Sequence, residues 1–172
     1  MINLETGLMN KVVLRQPQVA DGTSIWRLVR DTGVLDVNSP YSYLMLCKFF
    51  SDTCVVAEQD GQIVGYVSAF RPPADQQTLF VWQVAVAESQ RGNGLGKALL
   101  KALIRREACK NVCYLEATVS PSNLSSQALF RGFARDFSTD CEVSECFPAH
   151  LFPGGTHESE MTFRIGPFHY QT

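Results

Sequence analysis

FVWQVAVAESQRGNGLGKALL, from Phe80 to Leu100, holds a strand, a glycine-rich turn and a helix in one run. Val81, Val84, Ala85 and Val86 form a short apolar, β-branched segment bounded by polar residues, which predicts a buried strand. From Leu95 the apolar residues recur at Ala98, Leu99, Ala102 and Leu103, which is helical spacing. Between them, Gly92, Gly94 and Gly96 permit positive φ and a close backbone approach to a ligand. A helix start presents unpaired N–H groups and the positive end of its dipole. The combination predicts an anion site, most naturally for phosphate.

Two phosphate motifs are excluded. A P-loop requires Gly-Lys followed by Ser or Thr, and Ala98 follows Gly96-Lys97. A dinucleotide fingerprint requires a third glycine where Lys97 stands. Arg91-Gly92-Asn93-Gly94-Leu95-Gly96 after a strand ending Val84-Ala85-Val86 instead resembles the acyl-CoA signature of the GNAT N-acetyltransferase superfamily, Q/R-x-x-G-x-G/A. The resemblance implies an α/β fold with a mixed, mostly antiparallel twisted sheet of about six to seven strands flanked by helices. Acyl-CoA would lie in a splay between the central strands. It further implies cofactor contacts from Val84 and Val86, from the turn Arg91 to Lys97, and from Asn123.

The 172 residues suffice for one domain with a sizeable core. A hydrophobic fraction of 45% against 19% charged residues predicts a globular chain. A net charge of −2 argues against nucleic-acid or anionic-membrane partners. No apolar run is long enough to span a bilayer, and the first ten residues lack a signal-peptide pattern. Six cysteines are scattered without CxxC or Cys/His spacing, so reduced thiols and no metal site are expected.

Residues 1–10 read as a flexible tail, 11–168 as a single domain, and 169–172 as a short C-terminal tail. Lys11 to Arg15 predicts a strand. Asp21 can cap a helix that Gly33 closes. Asn38 or Ser39 can cap a second helix with Pro40 in its first turn. Thr53 to Ala57 and Ile63 to Phe70 predict a hairpin around Asp60-Gly61. Val112 to Val119 reads as a strand, Leu124 to about Ala134 as a helix, and Asp136 to Val143 and Glu160 to Ile165 as strands. Hairpins mixed with crossovers indicate a mixed sheet.

Four segments, Leu35 to Tyr43, Val81 to Val86, Ala117 to Asn123 and Phe152 to Glu160, resemble the diaminobutyrate acetyltransferases of ectoine biosynthesis. The likeness runs from Val12 to Gly166. It implies transfer of acetyl from acetyl-CoA to the γ-amino group of L-2,4-diaminobutyrate by a cytoplasmic homodimer. A substrate with two ammonium groups and one carboxylate calls for carboxylates and neutral acceptors. Asp36, Asn38, Tyr41, Trp82, Thr118 and Glu158 are the expected substrate contacts, with Glu160 a further carboxylate. Trp82 offers an apolar or cation–π wall. Each also has a plainer reading as a cap, a strand former or a core residue.

Asp36 or Glu158 would take the ammonium proton, and His157 would relay it. Neutralising an alkyl ammonium near pH 7.5 costs about 4 kcal/mol, so a base matters more than an acid. Phe130 stands where the superfamily often has a tyrosine acid, and that role is not carried over. Rival readings are an acetyltransferase of another small amine, such as a polyamine or aminoglycoside, and a non-catalytic acyl-CoA-binding module.

Overall fold

The computed structural model describes residues 11–169. The tails expected at 1–10 and 169–172 lie, except for His169, outside them. Among the described residues seven strands form one sheet in the order β1-β2-β3-β4-β5-β7-β6. They are β1 (Val13–Arg15), β2 (Cys54–Gln59), β3 (Gln62–Phe70), β4 (Thr78–Val86), β5 (Tyr114–Val119), β6 (Cys141–Phe147) and β7 (Glu160–Ile165). Every neighbouring pair is antiparallel except β4–β5. The helices are α1 (Gly22–Thr32), α2 (Pro40–Phe49), α3 (Leu95–Ile104) and α4 (Leu124–Asp136). The expected mixed, mostly antiparallel sheet flanked by helices is the fold observed.

Local chemistry accounts for the punctuation. Asp60 and Gly61 both take positive φ (51° and 75°), as a two-residue hairpin with right-handed strand twist requires. Gly33 closes α1 in the left-handed region. Asp21 precedes α1 but does not cap it through its side chain. Its carboxylate instead accepts the Gln18 N–H and a fork from Arg15, and Arg15 also reaches Glu58 on β2. Asp136, read from sequence as a strand start, ends α4. Lys97 and Lys101 of α3 hold its carboxylate at 3.0 and 2.6 Å, and β6 begins five residues later at Cys141.

Two cores lie on opposite faces of the sheet. Leu99, Leu100, Leu103 and Phe133 of α3 and α4 pack on one side. Ile25, Val29, Tyr43 and Cys47 of α1 and α2 pack against Val56, Tyr66 and Ala85 on the other. All six cysteines are unpaired, and Cys47, Cys54 and Cys109 are buried as small core groups. Burial pushes the Cys47 thiol up to about 12.

Strand β4 changes phase in its middle. Ser68 pairs with Gln83 but the next residue, Ala69, pairs with Val81, which leaves Trp82 as the extra residue of a bulge. Before it, Leu79 and Val81 face the α3–α4 core. After it, Val84 and Val86 face that side and Ala85 joins the α1–α2 core. Strand β4 pairs with β5 only from Thr78 to Val81, whereas its pairing with β3 continues to Val86. The central strands therefore splay apart beyond Val81.

Candidate active site

The cofactor side of the splay is built by the glycine turn. Gly92 and Gly94 have φ of 78° and 77°, and Gly94 is the N-cap of α3. Only residues tolerant of the left-handed region hold this curl at low cost. The first intrahelical bond runs from Ala98 N–H to Gly94 C=O, so the amides just before it belong to the helix's orphan donors. Gly96 brings its backbone against α4: a Cβ there would stand 3.2 Å from Leu129. The resulting cleft of about 390 Å³ is bordered by Val84, Val86, Arg91, Gly94, Gly96 and Lys97, and by the start of α4 at Asn123 and Ser126.

A second chamber of about 510 Å³ opens on the other side of the splay. It gathers Asp36, Asn38, Trp82, Thr118, His157 and Glu158 from four separate stretches of sequence, and adds Glu160. Val34, Leu35 and Asn123 border both chambers, so the two communicate through the gap between β4 and β5. Asn123 Oδ1 accepts the Ser126 N–H as the cap of α4, which leaves its NH₂ group for a ligand. Trp82, 45% exposed, forms a wall of the second chamber.

The carboxylates differ in environment. Glu160 is half-buried, and burial pushes its carboxyl above the ordinary range. Asp36 and Glu158 repel its charge and push it the same way, while His157 and a hydrogen bond from Thr118 oppose the shift. Glu158 is exposed and accepts a hydrogen bond from Ser122 Oγ. His157 stacks on Phe152 with ring centroids 3.7 Å apart. Its Nδ1 lies 2.6 Å from the Glu158 carbonyl. A carbonyl oxygen only accepts, so Nδ1 carries the proton and Nε2 is turned toward Glu160, 4.0 Å away.

Not every expected residue reaches a chamber. Tyr41 is 70% exposed on α2 and borders neither one. Asn93 sits exposed in the turn, outside the cleft lining. His150 and His169 are exposed and border neither chamber. Phe130 is buried in the α3–α4 core, so its ring offers neither chamber a proton. Sequence reading overlooked Gln83, which borders the second chamber while 7% exposed. The signal was a lone amide in the apolar run Val81 to Val86, where a buried polar group demands partners. Phe147, Phe152 and Thr156 were also missed; they come from a stretch with no periodic pattern to read.

A free strand edge ending in a glycine cradle at a helix start, with an acidic chamber across the gap, defines an acyl-CoA-dependent acyltransferase site. Residues 23–133 match the acetyltransferase (GNAT) family. A diaminobutyric acid acetyltransferase of Shouchella clausii is 55% identical over 156 residues, covering 91% of this chain and 87% of the relative. One from Marinococcus halophilus is 53% identical, covering 94% of each. The diaminobutyrate acetyltransferase of Paenibacillus lautus, solved with its substrate L-2,4-diaminobutyric acid and coenzyme A, superposes with a TM-score of 0.90 at 51% identity. That match covers 95% of this chain and 99% of the other. The chain belongs to the GNAT acetyltransferases and, among them, to the diaminobutyrate acetyltransferases.

Proposed function

We propose that the enzyme transfers acetyl from acetyl-CoA to the γ-amino group of L-2,4-diaminobutyrate, giving N-γ-acetyl-diaminobutyrate for ectoine biosynthesis. The observation that carries this reading is the pair of chambers meeting across the β4–β5 splay, one a phosphate cradle and the other rich in carboxylates. Family membership supports the same substrate.

In this reading the amides of the Arg91–Lys97 turn hold the pyrophosphate. The free edge of β4 at Val84 and Val86 pairs with the extended pantetheine arm. Asp36 and Glu158 attract the ammonium groups, and Trp82 walls the chamber. Glu160, rather than Glu158 or Asp36, is the base. Its raised basicity suits proton removal from an ammonium better than an exposed carboxylate does, and His157 Nε2 stands beside it to pass the proton on. The neutral nitrogen then attacks the thioester carbon, the C–S bond breaks, and CoA leaves as a thiolate. With a thiol pKa of about 8.5, that leaving group needs no dedicated acid, consistent with a phenylalanine at position 130.

The six unpaired cysteines fit a reducing cytoplasm. An exposed apolar row on α2, comprising Tyr41, Leu44, Met45 and Phe49, supports a subunit interface and hence a homodimer, which sedimentation velocity tests. The activity itself is tested by coupled thiol release over a panel of amines, with NMR of the product. Preferential turnover of diaminobutyrate and acetylation at the γ-nitrogen are expected. A large preference for spermidine or an aminoglycoside overturns the reading.

A further inference from the structure

Gln83 is a buried amide in the middle of an apolar strand, and both ends of it are used. Its Nε2 donates to the main-chain carbonyl of Asp36 at 2.7 Å. Its Oε1 accepts from the Tyr43 hydroxyl at 3.1 Å. That hydroxyl in turn receives the Asn38 N–H at 3.4 Å. Tyr43 is itself fully buried in α2. Two main-chain groups of the segment joining α1 to α2, at Asp36 and Asn38, are thus tied to one pair of buried side chains.

The bulge makes the pair possible. Trp82 absorbs the extra residue of β4, and Gln83 thereby turns to the α1–α2 side beneath the segment carrying Asp36. The tie acts on the backbone of Asp36, not on its carboxylate. It therefore fixes where that carboxylate stands without neutralising it. Asp36 is close enough to raise the Glu160 carboxyl by repulsion, so a mislaid Asp36 also alters the charge beside the base. A methionine would fill the same space, but only an amide serves a carbonyl and a hydroxyl at once.

We propose that Gln83, backed by Tyr43, is the positioning residue for Asp36 and so sets the acceptor chamber's affinity for its diamine. The proposal rests on the reading of Asp36 as a substrate contact.

The test compares Gln83→Met, Tyr43→Phe, Asp36→Ala and the Gln83→Met/Asp36→Ala double variant in steady-state kinetics. Gln83→Met should raise the diaminobutyrate KM about tenfold and leave the acetyl-CoA KM within about twofold. Tyr43→Phe, which keeps the ring packing, should give a smaller rise in the same direction. In the Asp36→Ala background, Gln83→Met should add less than about twofold, because its action passes through a residue already removed. Full multiplication of the two effects, or equal rises in both KM values, overturns the proposal. Hydrogen exchange of the free enzyme supplies a readout that needs no turnover. The amides of residues 34–38 should exchange faster in Gln83→Met and in Tyr43→Phe, and wild-type protection in both variants overturns the tie. Faster exchange together with an Asp36→Ala variant of normal diaminobutyrate KM would instead sink the substrate reading and leave the tie standing.

Discussion

Val81 opposite Ala117 is the last rung between the parallel strands β4 and β5. Beyond it, β5 keeps only the neighbour on its other edge, β7, which pairs with it from Leu115 through Thr118 opposite Thr162 to Val119 opposite Met161. Strand β4 keeps its partner β3 but bulges at Trp82. A bulge increases local twist and bends its strand, so the two strands diverge at the point where pairing stops. The exposed edge from Trp82 to Val86 is the kind of unpaired ladder that proteins otherwise cover. Here it borders the cofactor cleft, where an extended ligand can complete it.

The cradle at the end of that edge depends on Gly94. With φ at 77°, any β-carbon there costs about 1–2 kcal/mol, although no neighbouring atom lies within 4 Å of one. Gly94→Val is therefore expected to distort the turn more than the core. The acetyl-CoA KM should rise roughly tenfold, an effect of about 1.4 kcal/mol, while the diaminobutyrate KM changes little. Titration calorimetry with CoA checks it, and wild-type CoA affinity would contradict the phosphate-cradle role.

As the proposed base, Glu160 should link activity to pH. Its carboxyl is held above the ordinary range chiefly by burial, so the acid limb of kcat/KM should lie above the glutamate value of about 4.3. Glu160→Gln should lose most activity, and the limb should disappear from whatever remains. The stability effect has the opposite sign to that of a salt-bridged carboxylate. A folded-state pKa above the unfolded one gives stability that is fully present below the unfolded value and lost as pH rises through the folded value. Relative to wild type, Glu160→Gln should therefore melt higher near neutral pH than it does in acid. An unchanged pH profile would remove Glu160 from the base role.

How much of this was legible in the sequence depends on range. The glycine turn, the Asp60-Gly61 hairpin and the helix stop at Gly33 are local devices, and each lies where its residues imply. Asp21 misled as a short carboxylate before a helix, whose nearest use is a cap, and Asp136 because it lies past the last clear helical spacing, although α4 runs on to it. Their actual partners, Arg15 for one and Lys97 with Lys101 for the other, arrive from other elements. The site residues Asp36, Trp82, Thr118 and Glu158 came from family resemblance, and the fold places all four in one chamber. The roles proposed for Gln83 and Glu160 left no mark in the sequence because they rest on a bulge and on burial, neither of which is periodic.

The helix that carries the cradle rests on one residue of β3. A β-carbon at Gly65 would meet Ala57 Cβ at 3.0 Å, Leu99 Cδ1 at 3.1 Å and Leu95 Cδ2 at 3.2 Å. Leu95 is the first residue of α3 and directly follows Gly94, so anything that lifts Leu95 also lifts the amides of the turn. Interiors at native packing density absorb added atoms only by shifting their neighbours. Gly65→Val should cost about 2 kcal/mol through overpacking, which for a chain of this size lowers Tm by roughly 4–8 °C. It should also weaken CoA binding, because the relief open to the core is to raise the start of α3. Gly94→Val, whose backbone strain is of similar size, also lowers Tm, so the test of Gly65 is whether its loss of stability carries a loss of CoA affinity with it. Thermal melts with and without CoA measure the two together. A Gly65→Val variant with lowered Tm but wild-type CoA affinity would mean that β3, rather than α3, gives way.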